Sequence, residues 1–161
     1  MNRTLIGTYL DRPVILQELA ELSELASDGI SHAVVLLWLD RGRWNAPGLE
    51  EAIRKLASTG VLNITAAGWE ADESFSTLLT VLALLPINNH IMTGVIKDTD
   101  IKDPIEDSLM IKDAVETFLV STWPDEERFD DWTEYRIIVV GRPNLSREIH
   151  HSVMEMVNSD Q

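Results

Sequence analysis

The sequence predicts an α/β domain built on an open, mostly parallel sheet of about five strands with helices on both faces. Two observations carry this prediction: β-rich apolar runs alternate with segments of helical periodicity, and the run at 32–39 (HAVVLLWL) is almost continuously apolar. Strands that alternate with helices pair in parallel, and a strand covered on both sides has no polar face. Residues 1–161 form one domain, because the chain contains no internal repeat and no flexible linker.

The first predicted helix covers 15–27 (ILQELAELSELAS), because Ile15, Leu19 and Leu22 fall on one helical stripe. The later elements follow from the same periodicity, from short β-rich runs, and from capping and turn residues at their ends. In chain order the predicted elements are an optional short strand at 5–10, the helix at 15–27, a strand at 32–39, a helix at 45–60, a strand at 61–67, a helix at 72–85, a strand at 90–96, a helix at 105–114, a strand at 118–122, a helix at 125–134, a strand at 136–140 and a last helix from Asn144.

Composition indicates a protein of the reducing cytoplasm. The chain has no cysteine, which excludes disulfides, thiolate metal sites and a cysteine nucleophile. Its first residues (MNRTLIGTYLDRPV) lack the apolar core of a signal peptide. The longest apolar stretch, 78–86, is too short to span a bilayer. We therefore expect a cytoplasmic protein with no membrane partner.

The chain is strongly acidic, and its charge is concentrated in one segment. Thirteen lysine and arginine residues face 27 aspartate and glutamate residues, which gives a net charge of −14. Residues 98–134 hold 13 acidic and three basic residues and contribute −10 of that charge. Such a charge repels nucleic-acid phosphates and favours encounter with a basic protein. The simpler interpretation is that the charge serves solubility alone.

Common catalytic motifs are missing from the sequence. Neither GxGxxG nor the phosphate loop GxxxxGK[ST] occurs, and Ser121-Thr122 lack a GxSxG elbow. His150 and His151 face different sides of the last predicted helix, and neither has a histidine one turn away. These absences favour a binding protein over an enzyme. A Ser-His-Asp triad assembles in space, so that alternative stays open.

Carboxylates follow several of the predicted strands. Ligands of open α/β sheets collect outside the carboxyl ends of the strands, and Mg²⁺ prefers carboxylate oxygens. The alternative is that these acids cap helices and meet the positive end of the helix dipole. The candidate metal ligands are Asp40, Glu70, Asp72 and Asp125.

Tryptophans stand beside acidic residues at two of these places. Trp69 and Trp123 follow predicted strands, and Trp132 closes the sequence DEERFDDW. An exposed aromatic side chain anchors a protein partner, while surrounding acids steer a basic partner towards it. The alternative is that the indoles seal the ends of the core. The predicted partner-binding residues are Trp69, Glu70, Asp72, Trp123, Asp125, Glu126, Asp130, Asp131 and Trp132, with Phe129 interleaved among them.

Four short motifs resemble a family of small uncharacterised bacterial α/β domains. They are TYLDRP (8–13), HAVVLLW (32–38), TAAGWEADESF (65–75) and FLVSTWPDEERFDDW (118–132). In that family a strand ending near Ala-x-Gly leads into acidic residues and Trp, and a Thr-Thr-Trp-His turn follows. This chain has Pro124 in place of that histidine. The resemblance implies an α/β fold and a bacterial origin, and it brings no established activity.

The sequence therefore predicts a small acidic binding module for a basic protein, for example an immunity or inhibitor protein for a cationic nuclease toxin. This function needs no cofactor. The alternative is a metal-dependent hydrolase or phosphoryl-transfer enzyme that holds Mg²⁺ on the four carboxylates named above. A third hypothesis is a structural subunit that self-associates as a homo-oligomer through the helix at 72–85 or through the last helix.

Overall fold

The computed structural model describes residues 2–26, 28–40, 42–85, 91–97, 104–141 and 143–159. Its strands are β1 Asn2–Tyr9, β2 Arg12–Leu19, β3 Ala33–Leu39, β4 Asn63–Gly68, β5 Met92–Lys97 and β6 Glu134–Val140. Its helices are α1 Ala46–Ala57, α2 Ala71–Leu84, α3 Pro104–Ser121 and α4 Pro143–Ser159, and two 3-10 turns cover Leu22–Glu24 and Glu126–Asp131.

The strands form one sheet in the order β1-β2-β6-β3-β4-β5. β1 and β2 make an antiparallel hairpin at one end, and each of the other neighbouring pairs is parallel. The predicted α/β class with a mostly parallel sheet is confirmed, with six strands in place of about five. His90, the first residue of the predicted strand at 90–96, and residues 98–103 of the acidic segment 98–134 lie outside the described residues.

Helices cover both faces of the sheet, so the central strands are buried on each side. α1 and α2 pack on one face over Val35 and Ile138, and α3 and α4 pack on the other over Leu36 and Ile137. Successive residues of a strand point to opposite faces, and here both faces meet apolar side chains. β3 and β6 are therefore buried along their whole length.

The predicted helix at 15–27 is wrong. Most of this segment forms β2, and a 3-10 turn follows. Leu10 and Asp11, with φ of 50° and 65°, make the two-residue turn that folds β2 back onto β1. Leu, Glu and Gln give the segment a high helix propensity, but pairing with β1 and β6 on its two sides decides its structure.

The predicted strand at 118–122 is also wrong, because residues 118–121 are the last four of α3. Ile111, Val115 and Phe118 are buried at helical spacing, and this stripe continues to the end of the helix. Trp123 therefore follows a helix, and the chain reaches it at the amino ends of the parallel strands. None of the helices in the described ranges has the length and apolar character needed to cross a membrane.

Gly68 ends β4 where its backbone lies against the end of β3. It has φ of +99°, and a Cβ atom at this position would collide with the Leu39 carbonyl oxygen. We expect Gly68→Ala to lower the free energy of unfolding by about 3 kcal/mol, because both the backbone conformation and the contact become unfavourable. Urea denaturation followed by circular dichroism measures the loss.

The matched control for this variant is Gly42→Ala. Gly42 also has a positive φ, of +72°, but no described atom lies within 4 Å of the added Cβ. We expect this control to cost about 1 kcal/mol, the cost of the backbone conformation alone. Equal losses in the two variants would contradict the close approach of β4 to β3.

Candidate functional site

The segment 122–133 lies across the amino ends of the parallel strands. It comes directly from α3 and leads into β6. The Trp123 carbonyl accepts a 2.9 Å hydrogen bond from the side chain of Asn63, the first residue of β4. The Thr133 amide donates to the carbonyl of His32, which precedes β3. Both ends of the segment are thus fixed to the amino edge of the sheet.

Arg128 fixes the middle of this segment. Its guanidinium donates to the carbonyl oxygens of Gly60 and Val61, at 3.3 and 3.4 Å. Its Nε lies 4.0 Å from the Asp131 carboxylate. Because the Arg128 charge is directed towards these oxygen atoms, the outer side of the segment is predominantly acidic.

Trp132 is the buried anchor of the segment. Its residue is 5% exposed, and its indole Nε1 donates to the Glu134 carbonyl oxygen at 3.1 Å. The guanidinium of Arg12 lies 3.9 Å from the ring centroid, within the range of a cation–π interaction. Edge-to-face contacts join Trp132 to Tyr135 in the core and to Phe129 at the surface, with centroids 5.0 and 5.4 Å apart. Trp132 therefore couples the surface of this segment to the core.

The outer side of the segment forms the acidic–aromatic surface, which we define as Trp123, Asp125, Glu126, Glu127, Phe129, Asp130 and Asp131. Trp123 is 47% exposed and Phe129 is also exposed. Asp125 is half-buried, and the other four acids are exposed. The Trp123 ring meets Trp132 edge to face, with centroids 6.4 Å apart. The surface thus combines large aromatic rings with carboxylates on one short, anchored segment.

The structure separates the predicted partner-binding residues into two groups. Trp69, Glu70 and Asp72 follow β4 at the carboxyl edge of the sheet, where the Trp69 amide donates to the Leu39 carbonyl. The two groups lie at opposite edges of the sheet, because the chain enters Trp123 from a helix rather than from a strand. The residues that lie together at the amino edge are Trp123, Asp125, Glu126, Asp130, Asp131 and Trp132.

The four carboxylates of the magnesium hypothesis do not converge on one point. Asp40, Glu70 and Asp72 follow β3 and β4 at the carboxyl edge, whereas Asp125 lies at the amino edge. In the ranges that the structure describes, no three His, Asp or Glu side chains are grouped so that they could hold a metal ion. Asp125 instead accepts a hydrogen bond from the Glu127 amide at the start of a 3-10 turn, as the capping alternative predicts.

A separate cleft of about 350 Å³ lies at the carboxyl edge, between the segments that follow β2 and β3. Its lining includes Glu21, Arg43 and Trp44. The helices that follow β3 and β6 leave to opposite faces, which is the position where open α/β sheets bind ligands. Asn45 already accepts a 2.8 Å hydrogen bond from the Gly48 amide at the start of α1. Because Arg43 and Glu21 carry opposite charges, the lining selects neither an anion nor a cation.

No protein-family model matches the chain, and no curated protein or solved structure matches it either. The resemblance to small bacterial α/β domains therefore remains a hypothesis.

Proposed function

We propose that this protein is an acidic cytoplasmic binding module whose acidic–aromatic surface binds a basic protein. The observation that carries the proposal is the exposure of Trp123 and Phe129 among five carboxylates on one anchored segment. The partner class that we favour is a cationic nuclease toxin, for which this chain would be an immunity or inhibitor protein. Neither nucleic acid nor a membrane is expected to bind this surface, because phosphates and carboxylates repel each other.

The acidic–aromatic surface combines the two properties that a specific complex with a basic protein needs. Carboxylates on an exposed turn raise the association rate by steering a cationic partner. The two exposed rings supply contact area that excludes water at the centre of an interface. Buried Trp132, held between Arg12 and Tyr135, keeps the segment in place, so less conformational freedom is lost on binding.

Charge reversal at this surface is the direct test of the proposal. The variant Asp125→Lys, Glu126→Lys, Asp130→Lys and Asp131→Lys replaces four carboxylates by ammonium groups. Purified cationic nuclease domains are titrated with the wild-type chain and with the variant in a calorimeter. We expect one nuclease domain to bind the wild-type chain with an affinity that falls as salt rises, and the variant to bind it about a hundredfold more weakly.

The matched control reverses the same number of charges elsewhere on the molecule. Glu21, Glu50, Glu51 and Glu148 are exposed and lie outside the segment 122–133. Their replacement by lysine changes the net charge by the same amount but leaves the acidic–aromatic surface unchanged. We therefore expect an affinity within about fivefold of wild type. Equal losses in both variants would mean nonspecific attraction by net charge, and no binding of any cationic nuclease domain would also reject the proposal.

A further inference from the structure

The segment 74–96 carries no charged residue. Its 23 residues, from Ser74 to Ile96, contain no Asp, Glu, Lys or Arg, although a quarter of the chain is charged. At that average about six charged residues would be expected here. The segment includes most of α2 and nearly all of β5, the strand at one end of the sheet. The described parts of this segment therefore contribute no charged side chain to the β5 end of the sheet.

This end of the sheet exposes apolar side chains and a strand edge. Leu79 on α2 is 45% exposed, and Met92 on β5 is 43% exposed. Among the described residues, β5 pairs with β4 and has no strand on its other side. We define the neutral edge as Leu79, Met92, Thr93 and Val95.

Within the described ranges, the outer side of the β5 backbone pairs with no other strand. The Met92 amide donates to the Leu62 carbonyl, so the Met92 backbone groups face β4. Backbone groups of successive residues in a strand point to alternate sides, so those of Thr93 and Val95 face away from β4. An unpaired edge of this kind accepts a further strand.

We propose that the neutral edge is a homodimer interface, in which β5 of one chain pairs antiparallel with β5 of a second copy. A two-fold axis brings identical strands together in antiparallel orientation, so each copy supplies the donors and acceptors that the other needs. The sheet of six strands would continue across the axis into one of twelve. α2 lies on the face beside β5, and in the right-handed crossover from β4 to β5 its exposed Leu79 lies on the β5 side of the buried stripe of the helix.

Charge favours a second copy over a different partner at this edge. Each chain carries a net charge of −14, so two copies repel each other over most of their surfaces. Contact through a surface without carboxylates keeps the charges of the two chains apart. A strongly basic partner would find no carboxylate on the neutral edge, in contrast to the acidic–aromatic surface at the amino edge.

The salt dependence of dimerisation separates this inference from the proposed function. Salt screens the repulsion between two acidic chains, so self-association should strengthen as salt rises. Binding of a basic protein to the acidic–aromatic surface should weaken over the same range. The two proposals therefore fail independently of each other.

Sedimentation velocity on the full chain tests the dimer, over about 1 to 100 μM protein in about 50 and 500 mM NaCl. We expect the 18.1 kDa chain to sediment as a dimer at high concentration, with a smaller dissociation constant at the higher salt concentration. A monomer at every concentration and both salt concentrations would overturn the inference. A dimer that weakens as salt rises would also overturn it.

Two variants locate the interface. Val95→Pro removes an outward-facing amide and leaves the ladder to β4 intact, and Leu79→Glu adds a charge at a side chain that the fold leaves exposed. Each should weaken dimerisation at least about tenfold, and Leu79→Glu serves if the proline variant folds poorly. The control is Leu5→Glu on β1, at the opposite end of the sheet, where the side chain is 66% exposed. A dimer that resists both variants, or one that the control weakens equally, would overturn the assignment to this edge.

Discussion

Replacement of Arg136 by methionine is expected to lower the free energy of unfolding by about 3–5 kcal/mol. The Arg136 side chain is 1% exposed in the middle of β6, and its Nε donates to the Glu134 carboxylate at 2.8 Å. Its two terminal nitrogens donate to the Gln17 side chain at 3.2 Å and to the Gly29 carbonyl at 2.6 Å. The variant would leave the buried Glu134 carboxylate without its ion-pair partner and would remove the hydrogen bonds to Gln17 and Gly29, which accounts for the size of the loss.

Two comparisons make this prediction specific. Arg54→Met removes an exposed arginine on α1 and should cost less than about 0.5 kcal/mol. Adding Glu134→Gln to Arg136→Met removes the orphaned charge and should recover a measurable part of the lost stability. Urea denaturation gives all three values. A loss below about 1 kcal/mol in Arg136→Met would show that the network contributes little.

Arg136 also shows why the sequence predicts the strands better than the contacts between distant parts of the chain. A run such as RIIVV is apolar and β-branched, so it predicts a buried strand whatever Arg136 contacts. The contacts of Arg136 reach residues more than a hundred positions away in the chain. No local pattern marks such pairings, because a polar residue inside a strand is also common where one strand face meets solvent.

β2 was missed because its local signals favour a helix. The hairpin turn at Leu10-Asp11 has two positive φ values. Asn-Gly or Asp-Gly at these positions would have indicated such a turn, but Leu-Asp does not. Leucine is an unfavourable residue for this conformation, so the turn is held by the strands on either side of it. The pairing of β2 with β6 joins distant parts of the chain and leaves no trace in the periodicity of 15–27.

The candidate site was predicted in part, for a related reason. The sequence showed acids and tryptophans together in 123–132, and the structure places that stretch on one segment at the amino edge, with its acids on the outer side and Trp132 buried. The error at 118–122 moved the segment to the wrong edge of the sheet and joined it to Trp69. The residues that anchor the segment, Arg12, Asn63 and Arg128, carry no local signal, since each contacts a part of the chain at least 60 positions away.

Substitution of the two neighbouring tryptophans of the amino edge is expected to lower the stability by very different amounts. Trp132→Ala should lower the free energy of unfolding by about 3–5 kcal/mol, because it empties the space between Arg12 and Tyr135 and removes a buried ring. Trp123→Ala should cost less than about 1 kcal/mol, because its ring is 47% exposed and Asn63 binds its carbonyl rather than its indole. Chemical denaturation of the two variants measures both values.

Affinity for a basic partner should depend more on Trp123 than its small contribution to stability would suggest. A cationic nuclease domain that binds the wild-type chain should bind Trp123→Ala at least about tenfold more weakly, because an exposed ring at the centre of an interface supplies anchor area. Phe129→Ala is the second test, since Phe129 is exposed beside Trp132 and its loss should also weaken binding with little change in stability. Full affinity in both exposed-ring variants would show that the carboxylates act alone. In that case the amino edge would attract basic proteins through charge, without the aromatic anchor that distinguishes a specific binding site from an acidic surface.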